Sequence, residues 1–299
     1  MKYKFSTLSA IAYYLALPFL YLISLLPFPL MYLLSNGVYV LLYYVIGYRK
    51  KVVWTNLKNS FPNKSEQEIK RLQKDFYHYL CDLFLETLKL LTVSKETIWK
   101  HGQLTTETMD LLAKYAAQNK PIIIAIGHLG NWEWAGAACS IANKQQPYII
   151  YHPLRNKQFD GLVRRIRTKF GAKLITKKDT IREMLAHKGE SSATVFVTDQ
   201  TAAPESAYWT TFLNQDTPVF RGTAKIAQKL NYPIVYAHIE RVKRGYYIMH
   251  TETLIEEPAK LSEDEITEMH TRRLEKDIIV QPEIWLWSHR RWKHKRPVN

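Results

Sequence analysis

A histidine follows a run of apolar residues, and a glutamate lies five positions beyond it. Residues 122–134 read IIIAIGHLGNWEW, which places His128 in a short loop and Glu133 in the first turn of the helix that Asn131 can cap. Loops at the C-terminal ends of strands are where open α/β sheets bind their ligands. A carboxylate on one ring nitrogen would leave the other free to take a proton from a substrate hydroxyl. The pattern predicts a His128–Glu133 general-base pair.

Spacing alone is weak support for such a pair. With 10 His and 27 acidic residues in 299, about one His-x4-acid pair arises by chance. The sequence has a second pair, His270 and Glu275, in an acidic helix that we expect to be exposed, so we interpret that pair as a surface contact. The alternative for the first pair is a structural loop histidine with a glutamate favoured by the helix dipole.

The elements around this loop alternate in type. Short apolar runs of β-type residues occur at 121–126, 148–151, 173–175, 194–197 and 233–239. Between them, helical patterns cover 131–143, 157–170, 179–188, 221–230 and 262–280. This alternation predicts an α/β fold with helices on both faces of a sheet. Residues 232–240 and 246–252, joined through Lys243-Arg244-Gly245, resemble a hairpin, so the predicted sheet is mixed.

The N-terminal region carries no charge between Lys4 and Arg49. This is enough for one or two membrane spans, because a span takes about 20 apolar residues. The prolines of residues 26–29 (LPFP) separate 9–26, the stronger candidate, from 30–48, a second span or an interfacial helix. We predict a membrane anchor at 1–48, a helical connecting region at 49–119 and an α/β catalytic core at 120–299. The basic Arg49-Lys50-Lys51 step predicts that the core is cytoplasmic.

Positive charge dominates the chain, at a net +15. Residues 155–188 hold 11 Lys/Arg against 3 Asp/Glu, and residues 289–299 hold five Lys/Arg and no acid. Such patches attract anionic lipid headgroups, acidic proteins or nucleic acid, and composition does not choose among them. The two cysteines fit neither a disulfide framework nor a metal-ligand spacing.

His128 to Glu133 matches the His-x4-Asp/Glu motif of the lysophospholipid acyltransferase superfamily. The chain more closely resembles the late acyltransferases of lipid A biosynthesis, the lauroyl and myristoyl transferases. The resemblance runs nearly end to end. Besides the His motif, it rests on the following segments: LPFP (26–29), NL (56–57), FP (61–62), Tyr151-x-Pro153, RRIR (164–167), TDQ (198–200), FL (212–213) and PEIWLWSHRR (282–291).

The resemblance implies transfer of a fatty acyl chain from acyl carrier protein to a lipid hydroxyl, with His128 as general base and Glu133 as its partner. It aligns Arg167 with an arginine that would bind acceptor phosphate or developing negative charge, a role for which Arg164 and Arg165 compete. Asp199 matches an acidic position at a strand end, where a structural role is the alternative. We therefore expect Arg167, Arg164, Asp199 and Asn131 to contribute to substrate binding.

The partners implied are acyl carrier protein, a lipid acceptor and membrane phospholipids at the bacterial inner membrane, with no nucleic acid. No cofactor or metal is expected, because the sequence has no His-Glu-x-x-His motif and no clustered ligand set. The alternatives are an acyltransferase for lysophosphatidic acid or an aminolipid, a non-catalytic lipid- or nucleic-acid-binding module, and a metallohydrolase.

Overall fold

The computed structural model describes residues 2–142 and 144–297, with the backbone alone for residues 2–9. The α-helices in this part of the chain are α1 (Lys2–Leu25), α2 (Phe28–Val40), α3 (Lys50–Ser60), α4 (Glu66–Lys89), α5 (Lys95–His101), α6 (Thr106–Ala117), α7 (Trp132–Ala142), α8 (Lys157–Thr168), α9 (Thr180–Ala186), α10 (Gly222–Leu230) and α11 (Glu263–Val280). The strands are β1 (Gly102–Leu104), β2 (Ile122–Ile126), β3 (Gln146–Tyr151), β4 (Lys173–Thr176), β5 (Ser192–Val197), β6 (Tyr208–Phe212), β7 (Gln215–Val219), β8 (Ile234–Lys243) and β9 (Tyr246–Ile255).

The centre of the molecule is a seven-stranded mixed sheet in the order β1-β9-β8-β2-β5-β3-β4. Five neighbouring strand pairs are parallel, and the β8–β9 hairpin is antiparallel. The predicted α/β class, the hairpin and the mixed sheet are therefore confirmed. All five side chains of β2 are buried, because this strand is covered by helices on both faces.

Two features of the sheet structure were not predicted. The region 49–119, expected to be purely helical, contributes β1, which pairs in parallel with β9. A separate two-stranded sheet, β6–β7, turns at Leu213 and Asn214, both with positive φ. β1 has three residues, which are too few to show the alternation of apolar and polar residues that predicts a strand. The turn of β6–β7 has no glycine to signal it.

Two hydrophobic layers hold the helices on the sheet. On one face Ile123 and Ala125 pack with residues of α4, α10 and α11. On the other face Ile122, Ile124 and Ile126 pack with residues of α6, α7 and α8. Alternation along β2 thus divides its side chains between two cores. The functional loop after β2 emerges between these layers.

Helix α4 forms the support for the N-terminal helices. A capping box begins this helix: Ser65 accepts from the Glu68 N–H, and the Glu68 side chain accepts from the Ser65 N–H. One stripe of α2 and the following π-helical turn is buried against the core, at Met31, Ser35, Tyr39 and Tyr43. The other faces of α1, α2 and the π-helical turn leave large apolar side chains exposed, among them Leu15, Phe19, Leu22, Leu30, Leu33, Leu41 and Val45.

Both candidate membrane spans are helical. Among the residues described with side chains, Phe28–Ile46 is the one helix long and apolar enough to cross a membrane, and Ala10–Leu25 is shorter. The backbone of α1 continues from Leu25 back to Lys2 over 24 residues, so the ranking of 9–26 ahead of 30–48 stays a prediction. The proline step begins a new helix at Phe28, and the π-helical turn Leu41–Ile46 extends it without a break.

One expectation about the C-terminal third is wrong. His270 is not a surface residue: it is 1 % exposed on the buried face of α11, and Glu275 accepts from the Leu213 N–H. The many charged residues of α11 had indicated an exposed helix. Trp285 and Trp287 of the closing segment are also buried core residues.

Candidate active site

The site lies at the C-terminal ends of two adjacent parallel strands. β2 pairs with β5 in a register that places Ile126 opposite Val197. His128 and Asp199 each follow two residues later, so the same register brings them side by side. The Thr198 N–H donates to the Ile126 carbonyl and continues the ladder to the site. The backbone pairing of β2 and β5 therefore places His128 and Asp199 next to each other, independently of their side-chain contacts.

Asp199 binds His128 at two points. Its Oδ1 lies 2.6 Å from His128 Nδ1, and its Oδ2 accepts the His128 backbone N–H at 2.8 Å. Asp199 Oδ2 also accepts the indole N–H of Trp285 at 2.8 Å. The carboxylate fixes the imidazole with N–H at Nδ1, which leaves Nε2 as an acceptor. The arrangement matches the His–Asp half of a catalytic triad.

Burial and hydrogen bonding act in opposite directions on Asp199. Burial alone would raise the pKa of its carboxyl group, but the His128 imidazole, the His128 N–H and the Trp285 indole hold that pKa well below its usual range. The carboxylate is therefore charged at neutral pH. It would stabilise an imidazolium on His128, whose side chain is 14 % exposed and reachable by substrate.

Glu133 has a different partner from the one expected. It binds Arg167 through both oxygens, with Nη2 to Oε1 at 2.5 Å and Nε to the two oxygens at 3.1 and 3.2 Å. The prediction that Glu133 orients the imidazole is wrong in this respect, because Asp199 occupies Nδ1. Glu133 lines the same cavity as His128, but the strand register places Asp199, not Glu133, on the ring.

The helical register of α8 separates its arginines. Val163, Ile166 and Arg167 face the cavity described below, whereas Arg164 and Arg165 are exposed. Arg165 donates to the Tyr21 hydroxyl of α1. Of the predicted arginines, the structure thus brings Arg167 to the site and leaves Arg164 outside it.

Asn131 supports the site from behind. Its Oδ1 accepts the Trp134 N–H and caps α7, as the sequence predicted. Its side chain is fully buried and its amide donates to Glu86 of α4 at 2.7 Å. Asn131 is not among the residues that line the cavity, so the expectation that it contacts substrate is not met.

A cavity of about 530 Å³ opens at His128. Its polar end carries His128, Glu133, Arg167 and Gln200. Deeper in the fold the lining is predominantly apolar, and includes Ile124, Ile126, Ala135, Ala137, Val195, Val197, Ile239 and Met249. A largely apolar space that also carries charged groups suits a ligand with a long hydrocarbon chain and a polar reacting group.

Trp285 is a site residue that the sequence did not identify. The closing segment pairs with the loop, because Leu286 N–H donates to the His128 carbonyl and Gly130 N–H donates to the Ile284 carbonyl. The tryptophans of this segment were visible in the sequence, but their contact with a carboxylate 86 positions away was not. Among the described residues, no group of three or more His, Cys, Asp or Glu side chains could hold a metal ion.

Known proteins similar to this chain include several lipid A biosynthesis acyltransferases. The chain is 23 % identical over 289 residues to the lipid A biosynthesis lauroyltransferase of Escherichia coli K12, covering 94 % of this chain and 90 % of the relative. It is 22 % identical over 281 residues to a lipid A biosynthesis acyltransferase of Haemophilus influenzae, covering 92 % and 85 %. Identity to the lipid A biosynthesis palmitoleoyltransferase of Escherichia coli K12 is 21 % over 280 residues, covering 91 % and 88 %.

The model of the bacterial lipid A biosynthesis acyltransferase family matches residues 1–294, nearly the whole chain. This match confirms the resemblance drawn from the ordered motifs, and it makes the protein an acyltransferase enzyme that acts on a lipid acceptor. The chain belongs to the bacterial lipid A biosynthesis acyltransferase family.

Proposed function

We propose that this enzyme transfers a fatty acyl chain from the thioester of acyl carrier protein to a hydroxyl of a lipid A precursor or a related membrane glycolipid. The observation that carries the proposal is the His128–Asp199 pair at the mouth of a deep apolar cavity. A general base beside a chain-sized apolar space is what acyl transfer to a hydroxyl requires. The names of the relatives support lipid A as the acceptor.

His128 Nε2 takes the proton of the acceptor hydroxyl as its oxygen attacks the thioester carbonyl. The resulting tetrahedral intermediate breaks the carbon–sulfur bond. The imidazolium then returns the proton to the departing thiolate. Asp199 stabilises the imidazolium between these steps and holds the ring in the tautomer that accepts at Nε2.

The Glu133–Arg167 pair supplies a fixed cation beside His128. Arg167 donates to Glu133 through Nε and Nη2, and this bidentate contact fixes the plane of the guanidinium. The N–H groups that Glu133 does not bind are therefore held in a defined orientation. We assign Arg167 to acceptor phosphate or to the negative charge that develops on the thioester oxygen. Glu133 remains essential to catalysis in this proposal, through Arg167 rather than through the imidazole.

Surface properties support the proposed donor and membrane face. The basic segment 155–188 includes Arg164 and Arg165, which are exposed on the same helix as Arg167 and suit an acidic carrier protein. The exposed apolar faces of α1 and α2 suit the lipid interior. We place the enzyme in the bacterial inner membrane with its catalytic core on the cytoplasmic side, among anionic phospholipid headgroups.

The test is transfer by the purified full-length protein in mixed micelles. One set of reactions offers acyl carrier protein thioesters or coenzyme A thioesters with a lipid A precursor. A second set replaces that acceptor with lysophosphatidic acid. Mass spectrometry should detect one added acyl chain on the lipid A precursor with the carrier-protein donor. Transfer to lysophosphatidic acid alone, or from coenzyme A alone, would overturn the acceptor or the donor assignment.

A further inference from the structure

The candidate membrane helix contacts the catalytic core through a tyrosine. On the buried side of α2, the Tyr32 hydroxyl donates to Glu86 Oε1 of α4 at 2.8 Å. One turn further along, the Ser35 hydroxyl donates to Asp82 Oδ1 at 2.7 Å. The helix proposed to lie in lipid is therefore joined to α4 by two hydrogen bonds to buried carboxylates.

Glu86 also holds the loop that carries His128. Its Oε2 accepts from the Asn131 amide at 2.7 Å and from the Tyr247 hydroxyl at 2.8 Å. Its backbone carbonyl accepts the Trp134 indole N–H at 2.8 Å. Asn131 in turn caps α7, whose first turn contains Glu133. One side chain thus connects α2, β9 and the functional loop.

The surroundings make this connection stiff. Glu86 is 1 % exposed, and its neighbour Asp82 is bound by Arg241 and Arg244. Burial, with Asp82 beside it, raises the pKa of Glu86, and the bonds from Tyr247, Tyr32 and Asn131 oppose that rise. In such a low-dielectric site, leaving a carboxylate oxygen of Glu86 without a hydrogen-bond donor costs free energy. Displacement of one donor is therefore expected to move Glu86 and the other donors bound to it.

Tyr32 itself has little freedom. The Arg244 guanidinium lies over its ring at 4.5 Å, and Gly245 packs so closely that an added Cβ would lie 2.0 Å from the Tyr32 hydroxyl. Gly245 has a φ of +78°, which a glycine tolerates best. The β8–β9 turn therefore clamps the tyrosine in the position from which it reaches Glu86.

We propose that Glu86 is a positioning residue that couples the seating of α2 to the geometry of the loop between His128 and Glu133. When α2 lies in the membrane against α4, Tyr32 donates to Glu86. Glu86 in turn holds Asn131, which caps α7. The inference rests on the proposed site at His128. The enzyme would then be fully active only when its membrane helix is docked.

The test is a double-mutant cycle on kcat in the full-length protein, assayed in phospholipid–detergent micelles. Tyr32→Phe removes one bond to Glu86, and we expect kcat to fall about 3- to 10-fold with KM unchanged. Asn131→Ser keeps a capping hydroxyl but loses the amide, and should lower kcat further. The double variant should match Asn131→Ser alone, because both changes act on one path. Additive losses would overturn the coupling.

Ser35→Ala is the matched control, because it removes a bond from the same face of α2 to Asp82, which does not touch the loop. It should leave kcat near the wild-type value, and an equal loss would mean that general loosening of α2 explains the effect. If Asn131→Ser does not fold, Glu86→Gln replaces it in the cycle with the same expectation. The cycle requires only that acyl transfer is measurable, so additive losses would refute the coupling and not the proposed site. Full activity of His128→Ala would refute the proposed site instead.

Discussion

Asp199 contacts His128 through both carboxylate oxygens, one on the backbone N–H and one on Nδ1, although the two residues are 71 positions apart in the sequence. Main chain and ring are thus held by the same group. A ring held in this way cannot turn without breaking a charge-assisted bond. The orientation of the His128 ring, the proposed general base, therefore depends on the β2–β5 pairing.

Asp199→Asn tests that orientation. The amide retains the shape of the carboxylate but stabilises the imidazolium poorly and permits the wrong tautomer. We expect kcat to fall about 10²- to 10⁴-fold with little change in KM. Asp277→Asn is the control, because Asp277 pairs with His238 on β8, away from the cavity. Equal losses in the two variants, per folded molecule, would contradict a specific role for Asp199.

The sequence predicted the position of His128 but not its hydrogen-bond partner, for a physical reason. A strand, a tight loop and a capped helix are local features, so His128, Asn131 and Glu133 were placed correctly along the chain. That β2 lies next to β5 is a long-range fact. Local spacing favoured Glu133 as the partner of the imidazole. The sheet order instead places Asp199 on the imidazole, and Glu133 binds Arg167.

The arginines of α8 illustrate the same limit. Three arginines lie within four positions, and the sequence gives no reason to prefer one of them. The helical turn directs their side chains to different sides of α8. Contact of Val163 and Arg167 with the cavity follows from their four-residue spacing, but which face of α8 meets the sheet depends on packing. The closing tryptophans were likewise visible, but the burial of Trp285 depends on long-range contacts with Asp199, Phe212 and the loop after β2.

Arg167→Lys should disable the enzyme although charge is retained. Lysine cannot reproduce the bidentate contact with Glu133, so its charge is poorly placed. We expect kcat/KM for a phosphorylated acceptor to fall by about 10²-fold, by analogy with loss of one oxyanion-stabilising donor. Arg164→Lys, on the exposed face of the same helix, should stay within about twofold of wild type. A larger effect at Arg164 than at Arg167 would contradict the assignment.

Trp285→Phe removes one of the three hydrogen bonds to Asp199 while keeping an aromatic ring in the core. Because the His128 contacts remain, we expect a moderate loss, with kcat lowered about 3- to 10-fold, in line with about 1 kcal/mol for one such bond. Trp292→Phe is the matched control, since that indole donates to Thr217 instead. Steady-state kinetics across pH should place any change in kcat rather than in KM.

His270 gives a prediction about stability. Burial lowers the pKa of this histidine from 6.5 to about 4, so it is neutral in the folded protein at neutral pH. Below about pH 6.5 the unfolded chain takes up a proton that the folded protein refuses, and folding stability therefore falls as pH falls toward 4. Between pH 7.5 and 5 this histidine should cost about 2 kcal/mol.

Unfolding curves in denaturant, measured at both pH values in one detergent, check this prediction. His270→Gln should remove the corresponding part of the pH dependence. His294→Gln, at a partly exposed histidine, should preserve it. An unchanged pH dependence in His270→Gln would show that other groups carry it.

The most direct test of the site is the rate of acyl transfer by His128→Ala. The purified full-length variant is compared with wild type in single-turnover reactions, with acyl carrier protein thioester as donor and a lipid A precursor as acceptor. Circular dichroism establishes that both are folded. If His128 is the general base, the rate of acylation falls about 10²- to 10⁴-fold while donor and acceptor still bind. Acylation by folded His128→Ala at the wild-type rate would contradict it.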